Sequence, residues 1–286
     1  MDPADDPAAI ARSTYGVGTL SKVVLAIFAH PDDAELTCFG TLGLLKSLGY
    51  RILVAIVTDG LGTSTGGAFS DRVEEAENAS AIMGFELMRG ALPDGDLRYG
   101  GVLIAHIERW VVEYRPSIVI THDRDPAGVD HQDHSVVSQA VLNVVQRTPK
   151  VDLLLQAEPS RGSRSFVPNV FVDVTEFASK KLDAIACHKS QLNKQYLHAS
   201  YVNLRSNWWA ASSGAVAVSG AENSPHIEAF RLARASIIGA ASALGFMRLQ
   251  DKTEQSRRPS AYSSEPNMTD RGDEALINKP RALPLR

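Results

Sequence analysis

The sequence predicts an α/β protein, with a mostly parallel sheet covered by helices on both faces. Two observations carry this. The runs "VVLAIFA" (23–29), "RILVAIVT" (51–58) and "SIVIT" (117–121) are apolar almost without interruption, as strands buried on both faces must be. Segments of helical period separate them, and the strand–helix alternation repeats four times. Right-handed crossovers then wind such a chain into a Rossmann-like three-layer α/β/α sandwich.

The elements follow in order. Strand 23–29 is succeeded by a helix over 37–48, with apolar residues at helical spacing and Gly49 as its stop. Strand 51–58 runs into the glycine-rich "DGLGTSTGG". Residues 71–83 carry alanines on one side and Glu74, Glu75 and Glu77 on another, the pattern of a surface helix. A short strand at 85–89 and a helix at 102–114, closed by Arg115-Pro116, lead to strand 117–121 and a helix at 133–146. Strands at 151–156 and 170–174 and a helix at 175–188 complete the regular part. The small-residue stretch 235–247 reads as a closely packed helix. Residues 1–20 form an N-terminal extension, 21–249 the domain, and 250–286 a polar, proline-bearing tail expected to be flexible.

Composition narrows the function. The chain has 286 residues, 44% hydrophobic and 22% charged, with a net charge of −4. No basic field marks a nucleic-acid partner. The acidic, proline-bearing start does not resemble a signal peptide, and the first apolar run is too short to span a bilayer. The expectation is a soluble cytoplasmic protein with no membrane partner. Cys38 and Cys187 lie far apart in no CxxC spacing, which favours reduced thiols.

The polar residues cluster where this fold places ligands. Open parallel sheets bind beyond the carboxyl ends of their strands, where the winding reverses. "HPDD" ends the first strand, and "THDRDPAGVDHQDH" (121–134) follows "SIVIT". If those strands are neighbours, both clusters meet at one edge. His30, Asp33 and His134 then offer two imidazoles and a carboxylate, a set suited to Zn²⁺ with one open position. His131 lies three residues before His134, and Asp32 is free to act as a general base. Taken alone, HPDD also describes a bend and a helix N-cap, and HxxH describes two surface histidines. Their joint placement after two buried strands disfavours those readings.

"AHPDDAEL…GTL", "HQDH", "VDVTEFASKKLDAIACHKSQ" and "SPHIEAFRLAR" occur in the order found in the PIG-L/LmbE-like de-N-acetylases, and the chain resembles that family over residues 22–235. The resemblance implies that His30, Asp33 and His134 bind a divalent metal, usually zinc, and that Asp32 is the general base. It implies that His131 holds the oxyanion or protonates the amine, with Asp133 orienting it. Arg72 and Asp94 match substrate-holding positions, although a helix-start arginine and a turn aspartate describe them equally well. The implied reaction is hydrolysis of the N-acetyl amide of an amino sugar, releasing acetate and amine; the glycine-rich "GLGTSTGGAFS", bare of charge, and the Trp208-Trp209 pair point to a small glycosylated metabolite, in secondary metabolism, as the substrate. The partner is then a small-molecule sugar or glycoside, and homo-oligomers are common in the family.

Two alternatives stand beside it. One is an amidase acting on a larger thiol-conjugate amide. The other is a non-catalytic Rossmann-like module binding a sugar or nucleotide. The lack of GxGxxG after the first strand and the presence of all five site residues argue against the module. The chain also departs from the family pattern. Gln132 replaces a proline, and Val129 stands where some sugar deacetylases have an assisting tyrosine. Among the other polar residues, His122, Asp123 and Asp125 are expected in a solvated loop, and His188 in a structural role at a helix end. Trp208 and Trp209 suit a lid, a stacking wall or a dimer contact. Arg164, Arg205 and His198 have no assigned place.

Overall fold

The computed structural model describes residues 22–61, 69–124, 130–148, 150–214 and 225–235. Seven strands form one sheet: β1 (Val23–Phe28), β2 (Arg51–Thr58), β3 (Glu86–Leu92), β4 (Ile118–His122), β5 (Leu153–Ala157), β6 (Val170–Asp173) and β7 (Ile227–Ala235). Their order is β3-β2-β1-β4-β5-β7-β6. The first five are parallel, so the expected winding reverses between β2 and β4 around β1. Ile27 lies opposite Ala55 on one side and Thr121 on the other.

The helices are α1 (Asp33–Thr37), α2 (Phe39–Ser47), α3 (Phe69–Met83), α4 (Gly101–Tyr114), α5 (Gln132–Arg147), α6 (Ala178–Cys187) and α7 (Ala199–Ser212). Alternate residues of β1 point to opposite layers, which is why its sequence has no polar face. Val24, Ala26 and Phe28 pack toward Phe39, Leu42 and Leu45 of α2 and Ala79 of α3. Leu25, Ile27 and Ala29 pack toward Leu103 and Ile107 of α4 and Val137 and Val141 of α5. None of the described helices is long and apolar enough to cross a membrane. Cys38 and Cys187 are free thiols.

Three features differ from expectation. The helix anticipated at 37–48 begins earlier and is broken at Cys38, whose φ of −141° ends α1 and precedes α2. The segment at 175–188 opens with a 3₁₀ turn, Thr175–Phe177, before α6. The chain also continues into α7 and β7, and β7 runs antiparallel to both β5 and β6. Ala235 ends that strand, and the rest of the small-residue stretch expected to be helical lies outside the described residues. The two terminal segments lie outside them as well.

β7 explains the E-x-F signal. Phe230 is wholly buried, and Glu228 reaches the start of α2, which has no N-cap side chain of its own. The Glu228 carboxylate accepts the Gly40 and Thr41 N–H groups at 3.0 and 2.7 Å, and the Thr41 hydroxyl at 2.5 Å. These are donors that a helix N-terminus leaves unpaired, and the helix dipole favours an anion there. Lys181 of α6 closes the arrangement at 2.6 Å. Close approach is also required at this end of α2, since a Cβ on Gly40 would lie 2.6 Å from the Val174 Cβ.

Breaking such a buried pair leaves an uncompensated charge. Glu228→Gln should therefore lose about 3 kcal/mol of stability by that principle, measured by denaturant unfolding. A loss below about 1 kcal/mol, the scale of an exposed pair, would show that the network is not a structural joint.

Candidate active site

The site forms where β1 and β4 end side by side. Pro31 turns the chain after His30, and Asp32 adopts φ 98° and ψ −22° as the residue preceding α1. This left-handed conformation costs a non-glycine residue about 1–3 kcal/mol, although aspartate tolerates it better than most. It gives two adjacent, buried carboxylates different surroundings. Asp33 accepts the His30 N–H at 2.7 Å and faces imidazoles. Asp32 lies 3.7 Å from the Arg72 guanidinium, and its Oδ2 has no hydrogen-bond partner.

His30, Asp33 and His134 converge. His30 Nδ1 is 3.1 Å from His134 Nε2 and 3.4 Å from Asp33 Oδ2, and His134 Nε2 is 3.2 Å from Asp33 Oδ1. Asp33 offers a different oxygen to each imidazole, and among the described residues the donor atoms close enough for one ion group His134 with His30 and His131, or with Asp33 and His122. The outward nitrogens are held by carboxylates. Asp130 Oδ2 meets His134 Nδ1 at 2.7 Å. Asp94 and Asp133 meet His30 Nε2 at 3.1 and 3.3 Å. Carboxylates behind imidazoles fix ring orientation and raise ligand basicity.

Charge follows the same geometry. Burial opposes ionisation of His134, but Asp33 and Asp130 outweigh it and raise its pKa to about 9. Burial likewise opposes the Asp33 anion, yet the His134 charge holds its pKa well below the usual carboxylate range. Asp32 moves the other way, raised by burial and by the Asp33 charge, with Arg72 opposing.

His122 and Asp123 are not in a solvated loop. Both are buried, because β4 continues to His122, opposite Ala157 in the sheet. The His122 ring stacks on His134 with centroids 4.0 Å apart. Burial, reinforced by His134, lowers its pKa to about 4, so it is neutral near pH 7. Its Nε2 accepts the Ala29 N–H at 2.9 Å, which commits the lone pair that faces Asp33 and His134. His122 thus supports the site without a free donor atom for a metal. Asp123 pairs with Arg231 of β7. Asp125 and Val129 lie outside the described residues.

The remaining predicted residues are also placed. His131 precedes α5, its side chain 44% exposed, with its ring edge-on to His30 at 4.6 Å. Its Nδ1 accepts the Asp133 N–H at 3.3 Å. Asp133 was expected to orient His131, but its carboxylate lies nearer His30, at 3.3 Å against 4.0 Å. The backbone N–H groups of Gly95 and Leu97 anchor that carboxylate and leave it beneath the site. Arg72 is buried, donating to the Gly60 and Pro31 carbonyls and pairing with Asp94. It ties together the turns after β1 and β2. His188 is buried at the end of α6, 3.6 Å from Glu35. Trp208 is exposed, whereas Trp209 donates to Glu158 and packs near Phe166 and Phe171.

Asp130 escaped the sequence reading. The available signal was an aspartate four residues before His134, within reach of one helical turn, in "DHQDH".

Metal content after dialysis separates the histidines. His30→Ala should lose the metal, whereas His122→Asn should retain about one ion per chain by elemental analysis. The reverse pattern would make His122 the ligand. Loading should also release protons near pH 7, because a ligating imidazole must be neutral and His134 is otherwise charged. Calorimetry in buffers of different ionisation enthalpy counts them, and zero release would show that the metal displaces no proton from either His30 or His134.

A model of the family described as GlcNAc-PI de-N-acetylase, PIG-L, matches residues 25–145. YaiS, an uncharacterized deacetylase of Escherichia coli K12, is 34% identical over 184 residues, covering 59% of this chain and 91% of YaiS. The diacetylchitobiose deacetylase of Thermococcus kodakarensis is 31% identical over 191 residues, covering 59% of this chain and 70% of that protein. The solved N,N'-diacetylchitobiose deacetylase of Pyrococcus horikoshii superposes with a TM-score of 0.63 at 18% identity, covering 81% of this chain and 93% of that one. That likeness bears on the fold alone. With the sheet order, the paired HPDD and HQDH motifs and these matches together, the chain belongs to the PIG-L family of de-N-acetylases.

Proposed function

We propose that this protein is a metal-dependent de-N-acetylase that hydrolyses the N-acetyl amide of an amino sugar or small glycoside to free amine and acetate. One observation carries the reading. Adjacent buried carboxylates have different surroundings, Asp33 among the imidazoles and Asp32 3.7 Å from Arg72 with an oxygen that accepts no hydrogen bond. His30, Asp33 and His134 would hold the cation, zinc in the first instance. Bound there, it would supply Lewis-acid polarisation of the acyl carbonyl and of the attacking water.

Asp32 Oδ2 takes the proton from that water. Its pKa is raised by burial and the neighbouring Asp33 charge, which makes it a stronger base than an exposed carboxylate. Arg72, 3.7 Å away, keeps it oriented. The water oxygen adds to the acetyl carbon, and the carbonyl oxygen becomes an oxyanion. His131 has Nδ1 committed as an acceptor, so its proton sits on Nε2 when the ring is neutral. Burial, with His30 and His134 nearby, lowers its pKa and favours that form. Nε2–H can then donate to the oxyanion. Protonated Asp32 returns its proton to the leaving nitrogen as the C–N bond breaks. The resemblance to diacetylchitobiose deacetylase supports an amino-sugar substrate. The glycine-rich "GLGTSTGGAFS", bare of charge, and the exposed Trp208 support a small glycosylated metabolite of secondary metabolism, whereas Trp209 is tied to Glu158.

Acetate release from N-acetylglucosamine and N,N'-diacetylchitobiose, with and without chelator, tests the reaction. Asp32→Asn should keep its metal and lose about 10²–10⁴-fold in kcat, the range of general base catalysis. Full activity in that variant would remove Asp32 from the role. His131→Ala should lower kcat by about 10²–10³-fold with little change in KM. A change confined to KM would make His131 a binding residue instead.

A further inference from the structure

Helix α7 and the loop after β5 were not linked to the site by any motif, yet a continuous set of polar contacts joins them to His134. Ser160 Oγ donates to Asp130 Oδ1 at 2.7 Å, and the Ser160 N–H donates to Asp130 Oδ2 at 3.3 Å. Both oxygens of the carboxylate that meets His134 Nδ1 are thereby held. Ser160 is buried and is itself clamped. Arg205 Nη1 donates to the Ser160 carbonyl at 3.1 Å, and the Tyr201 hydroxyl donates to the same oxygen at 3.4 Å. Arg205 also pairs with Glu158 at 2.6 Å, and Trp209 Nε1 donates to Glu158 at 2.8 Å. Tyr201, Arg205 and Trp209 are four residues apart, so they form one stripe on α7 that grips both ends of the 158–160 loop.

We propose that Ser160, held by this stripe, is a positioning residue for the metal ligand His134, acting through Asp130. A carboxylate with one oxygen unanchored can rotate about its terminal torsion, and the imidazole behind it follows. With both oxygens fixed, Nε2 is aimed at the position shared with His30 and Asp33. The inference rests on the reading of His134 as a ligand. It gives the second half of the chain a part in metal affinity, and Arg205 and Trp209 a place in that role.

Competition against a chromogenic chelator measures Zn²⁺ and Co²⁺ affinity in the purified full chain, without substrate. Ser160→Ala retains the backbone contact to Asp130 and should weaken metal binding about ten-fold, the lower end for a partner behind a ligand. Ser160→Thr keeps the hydroxyl and should recover most of the loss. Arg205→Met should show an intermediate weakening, and Trp208→Ala, exposed on the same helix, none. The metal-free variants should each remain folded and unfold in one cooperative denaturant transition. Unchanged affinity in both Ser160→Ala and Arg205→Met overturns the inference alone. Equal loss in the alanine and threonine variants does the same. A wild-type protein that binds no metal overturns the coordination site and this inference with it.

Discussion

The pairing of β1 with β4 is the constraint on which the site depends. These strands are 94 residues apart at Ile27 and Thr121, yet parallel registry ends both at the same edge. His30 and the two aspartates then emerge from one strand, while His122 and the start of α5 emerge beside them. A parallel sheet can make this neighbourhood only through crossovers, and β2 and β3 with their following helices intervene before β4 takes its place. Cores on both faces make a slip in registry expensive, because it would move every side chain of β1 into the opposite layer.

Within that frame, electrostatics organises the residues around Asp33. Its anion supports charge on His134 despite burial, while His122 beside it remains neutral. Burial opposes charge on both rings: at His134 the carboxylates of Asp33 and Asp130 outweigh it, whereas at His122 the neighbouring His134 adds to it. The left-handed turn at Asp32 completes the division by directing a second carboxylate toward Arg72. Local backbone strain and buried charge are both tolerated here because the surrounding core is rigid, and function commonly concentrates such costs.

Glu228 shows the same logic outside the site. One carboxylate on the antiparallel strand β7 satisfies the open N-terminus of α2 and neutralises Lys181, joining three elements that are remote in sequence. α2 lies directly after α1, and Lys181 and Glu228 of this joint line one cavity with Glu158 and Arg205 of the α7 contacts.

Much of this was legible in the chain. Apolar runs identified the parallel strands, helical spacing identified most of the helices, and the charges in HPDD and HQDH marked the functional edge, because composition and period record local burial directly. α7 and β7 were not legible: α7 has no clear apolar stripe, and β7 mixes charged and apolar residues at the sheet's antiparallel side. The roles of individual polar residues were also beyond local pattern. Asp133 meets His131 through its backbone N–H and brings its carboxylate closer to His30, His122 is buried with its lone pair spent, and Asp130 is locked by a serine 30 residues away. The residue types and their order already specify which chemistry is available. Which atom is free to perform it depends on hydrogen bonds from distant segments, and those exist only once the sheet has closed.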